Sequence, residues 1–150
     1  MKPVKGNIHF HLQSKKYELS QKRLITAWIK HCVEKQSLTI GEINVIFCTS
    51  SKILKINQLH LNHHDHTDII TFDHTIGNII SGDLFISIER VRSNAIELGI
   101  AFTDEILRVI IHGVLHLMGF KDKTSASRRE MRAKEDQCLS LFYQKFHVKH

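Results

Sequence analysis

At 150 residues, 42% of them hydrophobic and only one a proline, the chain is long enough for a single core and too apolar for a disordered or fibrous protein. Its 21 Lys and Arg against 15 Asp and Glu give a net charge of +6, which suits a polyanionic partner such as RNA without selecting one. Three cysteines (Cys32, Cys48, Cys138), in no C-x-x-C pair, argue against a secreted disulfide framework and for free thiols in a reducing compartment. No stretch has the makeup of a signal peptide and none approaches the length of a membrane span. A cytoplasmic protein with no membrane partner is expected.

No repeat, low-complexity tract or linker divides the sequence, so residues 1–150 read as one domain. Ile8–Leu12 alternates apolar and polar residues, the period of a half-buried strand. Ser20 is the expected cap of a helix whose apolar stripe runs through Leu24, Ile25, Trp28, Ile29, Cys32 and Val33. Ile43–Cys48 reads as a strand, and Ser50 or Ser51 as the cap of a short helix through Leu54, Ile56 and Leu59. Asp68–Phe72 and Asp83–Ile88 read as two more strands, paired as a hairpin across the turn signal Gly77-Asn78. A helix over about Glu89–Leu98 follows. Next comes a long apolar helix to Met118, with Thr103 as its cap and Asp104 and Glu105 at its positive end. A mostly polar last helix, about Ser125–Phe146, is apolar at Met131, Cys138, Leu141 and Phe142. Interspersed strands and helices with a hairpin define a mixed α+β domain.

The long helix ends in His112-Gly113-Val114-Leu115-His116-Leu117-Met118-Gly119-Phe120-Lys121-Asp122. Residues four apart share a helix face, so the two imidazoles can hold one metal ion. Gly119 can end the helix and swing Asp122 back as a third ligand. A single histidine beside an apolar face is most often a core residue bonded to a carbonyl. The pair, the glycine and the carboxylate together argue for metal. Three protein ligands leave a position for water, as catalytic sites do. Zinc is the expected ion, one per chain, although two histidines and a carboxylate also suit iron, manganese or nickel. Binding needs neutral imidazoles, so occupancy is expected to fall below about pH 6.5. The ligand stripe continues back along the helix through Arg108 or Val109 to Glu105. Gly113 stands where the H-E-x-x-H protease motif has its water-activating glutamate. That argues against peptide hydrolysis and for close approach of another segment, a strand for instance.

These residues resemble the signature of the YbeY family, bacterial metal-dependent endoribonucleases of ribosomal RNA maturation. His112-Gly113-x-Leu115-His116-Leu117-x-Gly119-Phe120 follows the pattern H-G-x-L-H-L-x-G-Y/F-x-H. Thr67-Asp68-Ile69-Ile70-Thr71-Phe72 is similar to the family block T-D-V-L-S-F, and Gly82-Asp83-Leu84-Phe85-Ile86-Ser87 to G-D-I-x-I-S. The resemblance is close over about Asn57–Met131. It implies an α+β fold with roughly four strands in a mixed sheet and about five helices, a zincin-like metal helix, and a zinc site in a cleft beside the sheet. It also implies a single-strand-specific endoribonuclease acting in 16S ribosomal RNA 3′-end maturation and ribosome quality control. Ribosomal RNA and the small ribosomal subunit would be the partners, with no organic cofactor. Two positions depart from the pattern. The third histidine falls on Asp122, and an arginine six residues before the Thr-Asp block falls on Leu61.

Several further residues are expected near such a site. In the histidine-rich run His60-Leu61-Asn62-His63-His64-Asp65-His66, His63 and His66 are the members expected to face RNA, although the run also reads as a solvated loop. Lys121, Lys123, Arg128 and Arg129 flank the ligand motif where phosphate would lie. Asp68 is expected to open a strand rather than to orient a ligand imidazole. Phe120 is expected to pack against the helix rather than stack on a base. No side chain of the motif is an obvious general base. Two other classes share these features: a non-catalytic, metal-containing ribosome-assembly factor, and a metalloprotease-like hydrolase.

Overall fold

In the computed structural model, which describes residues 6–13, 17, 19–60 and 67–146, the alternating segments pair into one sheet. Its strands are Asn7–Leu12 (β1), Thr39–Cys48 (β2), Ile69–Asp73 (β3) and Ile79–Ser87 (β4), in the order β1-β2-β4-β3. β1, β2 and β4 run parallel, and β3 lies antiparallel to β4 as the expected hairpin. β3 is therefore an edge strand. The helices are Lys22–Glu34 (α1), Ser50–His60 (α2), Ile88–Leu98 (α3), Phe102–Leu117 (α4) and Ser125–Leu141 (α5), which runs into a π turn over Phe142–Phe146. This is the mixed α+β architecture, with four strands and five α-helices among the described residues. None of these helices is long and apolar enough to cross a membrane.

Strand alternation decides what each face of the sheet buries. β2 turns Ile43, Val45 and Phe47, all 0% exposed, into the main core shared with α1, α4 and α5. The opposite face is covered at one end by α2, where Ile53 and Ile56 meet Cys48 and Ile70. Burial of each large aliphatic chain stabilises the fold by about 1.5–3 kcal/mol, so the apolar band of α4 fixes that helix on the sheet. Trp28 ties α1 to α5: its indole N–H donates to the Cys138 carbonyl at 2.7 Å, and its ring meets Phe142 edge to face. The three cysteines are free, Cys32 and Cys48 being buried.

The helix starts differ from expectation. α1 begins after Gln21, in left-handed backbone with no side-chain cap, rather than at a capping Ser20. α4 begins after Ala101, again uncapped, rather than at Thr103. Both helices bury a wide apolar band, and packing of such a face stabilises a helix more than any cap. α2 is capped by Thr49, whose hydroxyl accepts from the Lys52 N–H at 3.2 Å, not by Ser50 or Ser51. Ser87 caps α3, and a reciprocal Thr124–Ser127 box caps α5. β2 begins at Thr39 instead of Ile43, with an irregularity between Ile40 and Ile43 that interrupts the alternation.

α4 packs tightly against the sheet at Gly113. A β-carbon there would stand 2.7 Å from Ile69 Cδ1 on β3 and 2.9 Å from Leu84 Cδ2 on β4. The missing side chain is thus explained by strand packing, as expected.

Candidate metal centre

With Gly113 against the sheet, His112 and His116 face a cavity beside β3, each about a quarter exposed. Gly119, at φ 103°, takes a left-handed conformation that ordinary side chains avoid and turns the chain back. Asp122 Oδ2 then sits 3.4 Å from His112 Nε2 and 3.2 Å from His116 Nε2, and the two nitrogens are 3.1 Å apart. Donors about 2.0–2.1 Å from one tetrahedral zinc ion lie about 3.4 Å from each other. The two imidazoles and the carboxylate therefore fit such an ion in both spacing and chemistry. Among the described residues no other three His, Cys, Asp or Glu side chains converge in this way.

The support behind His112 is a carboxylate that motif reading missed. His112 Nδ1 donates to Glu135 Oε2 at 2.6 Å, which leaves the Nε2 lone pair facing the site. The Glu135 side chain is only 5% exposed, and its Oε1 accepts from Arg108 Nη1 at 2.8 Å. Arg108 Nη2 in turn donates to Asp136 at 2.8 Å. Burial opposes charge on the His112 ring, but the Glu135 hydrogen bond and charge, with Asp122 and Asp68, outweigh it and hold the pKa above its ordinary value. Burial likewise pushes Glu135 up, and the bonds from His112 and Arg108 overcome it to hold the carboxyl below the usual range. A signal for Glu135 does exist in the sequence: it lies on the buried stripe Met131, Glu135, Leu139 of α5, four residues apart.

Asp68 stands just before β3, which begins at Ile69 rather than Asp68, and its carbonyl accepts from the Ser87 N–H at 2.9 Å. Its carboxylate accepts from Asn94 Nδ2 at 3.4 Å, and burial raises its pKa. The acceptor for the His112 ring is Glu135, not Asp68.

Two cavities meet at His112 and Asp122, and His116 faces one of them. One of about 520 Å³ lies along the β3 edge, between Asn57 of α2 and Lys121. The other, of about 300 Å³, lies between α4 and α5, with Glu105, Arg108, Met131 and Arg132 in its walls. Asp68, Ile69, His112 and Asp122 line both. Of the expected RNA contacts, Lys121 reaches the first cavity and Arg128 the second. Arg128 also donates to the Lys123 carbonyl at 3.1 Å. Lys123 and Arg129 are exposed and line neither cavity. His63, His66 and Leu61 lie outside the described residues. Phe120 packs against the core, with Lys134 over its ring at 5.7 Å, as expected of a packing residue.

Fold and geometry define an α+β protein with a candidate metal centre of two histidines and a carboxylate at the edge of its sheet. Similar proteins are specific about which one. The family model described as "Endoribonuclease YbeY" matches residues 7–143. A protein of that name from Flavobacterium johnsoniae is 42% identical over 136 residues, covering 91% of this chain and 97% of that one. Another from Bacteroides thetaiotaomicron is 46% identical over 121 residues, covering 81% and 88%. The solution structure of a Thermotoga maritima protein matches with a TM-score of 0.63 at 28% identity, over 89% of this chain and 87% of that one. The chain belongs to the endoribonuclease YbeY family.

Proposed function

We propose that this protein is a metal-dependent endoribonuclease that cuts single-stranded ribosomal RNA in the cytoplasm, in 16S 3′-end maturation and ribosome quality control, in association with the small ribosomal subunit. The observation that carries the reading is the triangle of His112 Nε2, His116 Nε2 and Asp122 Oδ2, all three lining the cavity along β3. Relatives spanning most of the chain bear the name endoribonuclease, which supports RNA as the substrate.

A divalent ion held by these three side chains, zinc by the donor set, supplies Lewis acidity for a phosphoryl oxygen and makes water more acidic. The residues of the chain do the rest. Glu135 keeps His112 in the tautomer that presents Nε2 and stops the ring from rotating away, and Arg108 holds Glu135 in place. Asp122 brings a negative charge to the triad where a histidine would bring none. Lys121 and Arg128, one to each cavity, attract the phosphates on either side of the bond to be cut.

The test is cleavage of a single-stranded RNA carrying the 3′ end of the 16S species by zinc-loaded, repurified protein. Wild type is expected to cut it, and His116→Ala and Asp122→Ala to lose about 100-fold or more of the rate. Undiminished cleavage by both variants would overturn the reading.

A further inference from the structure

Glu105 stands on α4 about two turns before His112, on the same side of the helix. It is 6% exposed, and its Oε1 is buried with no hydrogen-bond partner among the described residues. A buried carboxyl oxygen without a partner is costly, and native structures rarely keep one without a reason. The nearby cations do not bond to it. Arg108 is engaged by Glu135 and Asp136, and Arg132 reaches toward Glu135 at 3.7 Å.

Glu105 lines the cavity between α4 and α5. Apolar walls there come from Ile69, Val109 and Met131, and the cavity opens onto His112 and Asp122. Arg128 and Arg132, both exposed, stand at its rim. Apolar walls, a buried carboxyl among them and exposed guanidinium groups beside them match one nucleotide: ring faces, a polar edge and a phosphate. At about 300 Å³ the space holds one base rather than a length of chain. The rim arginines also repel a cationic peptide side chain, the other ligand a buried carboxyl would suit.

Resting on the endoribonuclease reading, we propose that this cavity is a nucleoside subsite. It takes the base of a nucleotide flanking the scissile phosphate, and Glu105 reads an exocyclic amino group on that base. Guanine, adenine and cytosine carry such a donor and are accepted. Uracil presents carbonyl oxygens on either side of a single N–H, sets them against the carboxyl and is rejected. Asp68, in the same wall, adds a second acceptor.

The experiment has two arms on the zinc-loaded full chain. In the first, a pool of randomised single-stranded RNA is cut and the product ends are sequenced. Wild type should disfavour uracil about 10-fold at one position beside the cut, and Glu105→Gln, whose amide can donate to uracil, should reduce that to under about 2-fold at that position alone. In the second, binding of guanosine and uridine monophosphates is titrated, the phosphate being common to both. Guanosine monophosphate should bind about 10-fold tighter to wild type, and equally to Glu105→Gln. Glu105→Leu, which keeps the bulk and removes the polar group, should also lose the discrimination and serves if the amide variant fails to fold. Cleavage with no base preference, a preference that survives in both variants, or equal binding of the two mononucleotides by wild type overturns the subsite and leaves the nuclease reading standing. Absence of any cleavage by wild type overturns the nuclease reading, while the binding arm still decides the subsite.

Discussion

On the solvent-facing side of the sheet, His9 pairs with Glu42 at 2.9 Å, His11 with Asn44 at 2.9 Å and His74 with Asp83 at 3.3 Å. At the end of α4, by contrast, His112, His116 and Asp122 bring three donor atoms within 3.4 Å of one another. Both regions are rich in imidazole and carboxylate, so composition does not separate them; backbone geometry does. Side chains on neighbouring strands stand side by side, about 4.8 Å apart, and contact one another in a row, as Asn44 does both His11 and Asp83, without converging on one point. A helix stacks residues four apart, and a left-handed glycine can fold a third group back onto them. Burial separates the regions too. The Glu42 and His74 side chains are 59% and 61% exposed, whereas Glu135, behind His112, is 5% exposed. A metal centre needs that fixed backing, and surface pairs lack it.

The comparison can be broken at several points, beginning where the effect should be largest. Gly113→Glu restores the glutamate of the H-E-x-x-H motif, but aims it at Ile69 and Leu84. It is expected to destabilise the fold by about 3 kcal/mol or more and to confer no peptidase activity, read by chemical denaturation and a peptide-cleavage assay. A stable variant that cuts peptides would show that the glycine does not mark close packing. Next, Glu135→Gln should weaken zinc binding about 10–100-fold in a competition titration with a chelator, since the neutral amide supports the His112 ring less well. An unchanged affinity would remove the distinction between backed and unbacked histidines.

A smaller effect concerns pH. Burial, then the charge of Asp68, holds the Glu105 carboxyl above the ordinary 4.5, so its ionisation opposes folding. Its favourable contribution is complete below pH 4.5 and is lost as pH rises through the higher folded value. Denaturation at pH 4 and at pH 8 should therefore shift in favour of Glu105→Gln at the higher pH. A constant difference would mean the carboxyl is not ionising in a buried setting. The smallest effect belongs to the sheet face: His9→Ala and His11→Ala should leave both the metal content and the RNA cleavage rate unchanged.

Much of this was readable from the sequence wherever one residue pattern implies one geometry. The i, i+4 histidines, the glycine three residues on and the carboxylate after it specify a face, a stop and a return, and the three donors meet as that spacing implies. The strand alternation of Ile8–Leu12 and the hairpin turn at Gly77-Asn78 work for the same reason. Helix starts were less legible. Ser20 and Thr103 are good caps by type, yet α1 and α4 are held by their buried bands and begin where the packing begins. Glu135 and Glu105 were hidden for another reason. A glutamate in a polar helix, or at the positive end of an apolar one, has an ordinary surface role to play. Only the packing of α5 on α4 makes one of them the support of His112 and leaves the other buried without a partner.

Elemental analysis of the purified chain beside His116→Ala and Asp122→Ala bears on the whole scheme at once. The wild type should carry one divalent transition metal ion per chain after dialysis at neutral pH, and each variant far less, with all three equally folded by circular dichroism. Metal retained at one ion per chain in both variants, or none bound by wild type even after incubation with zinc, would contradict it.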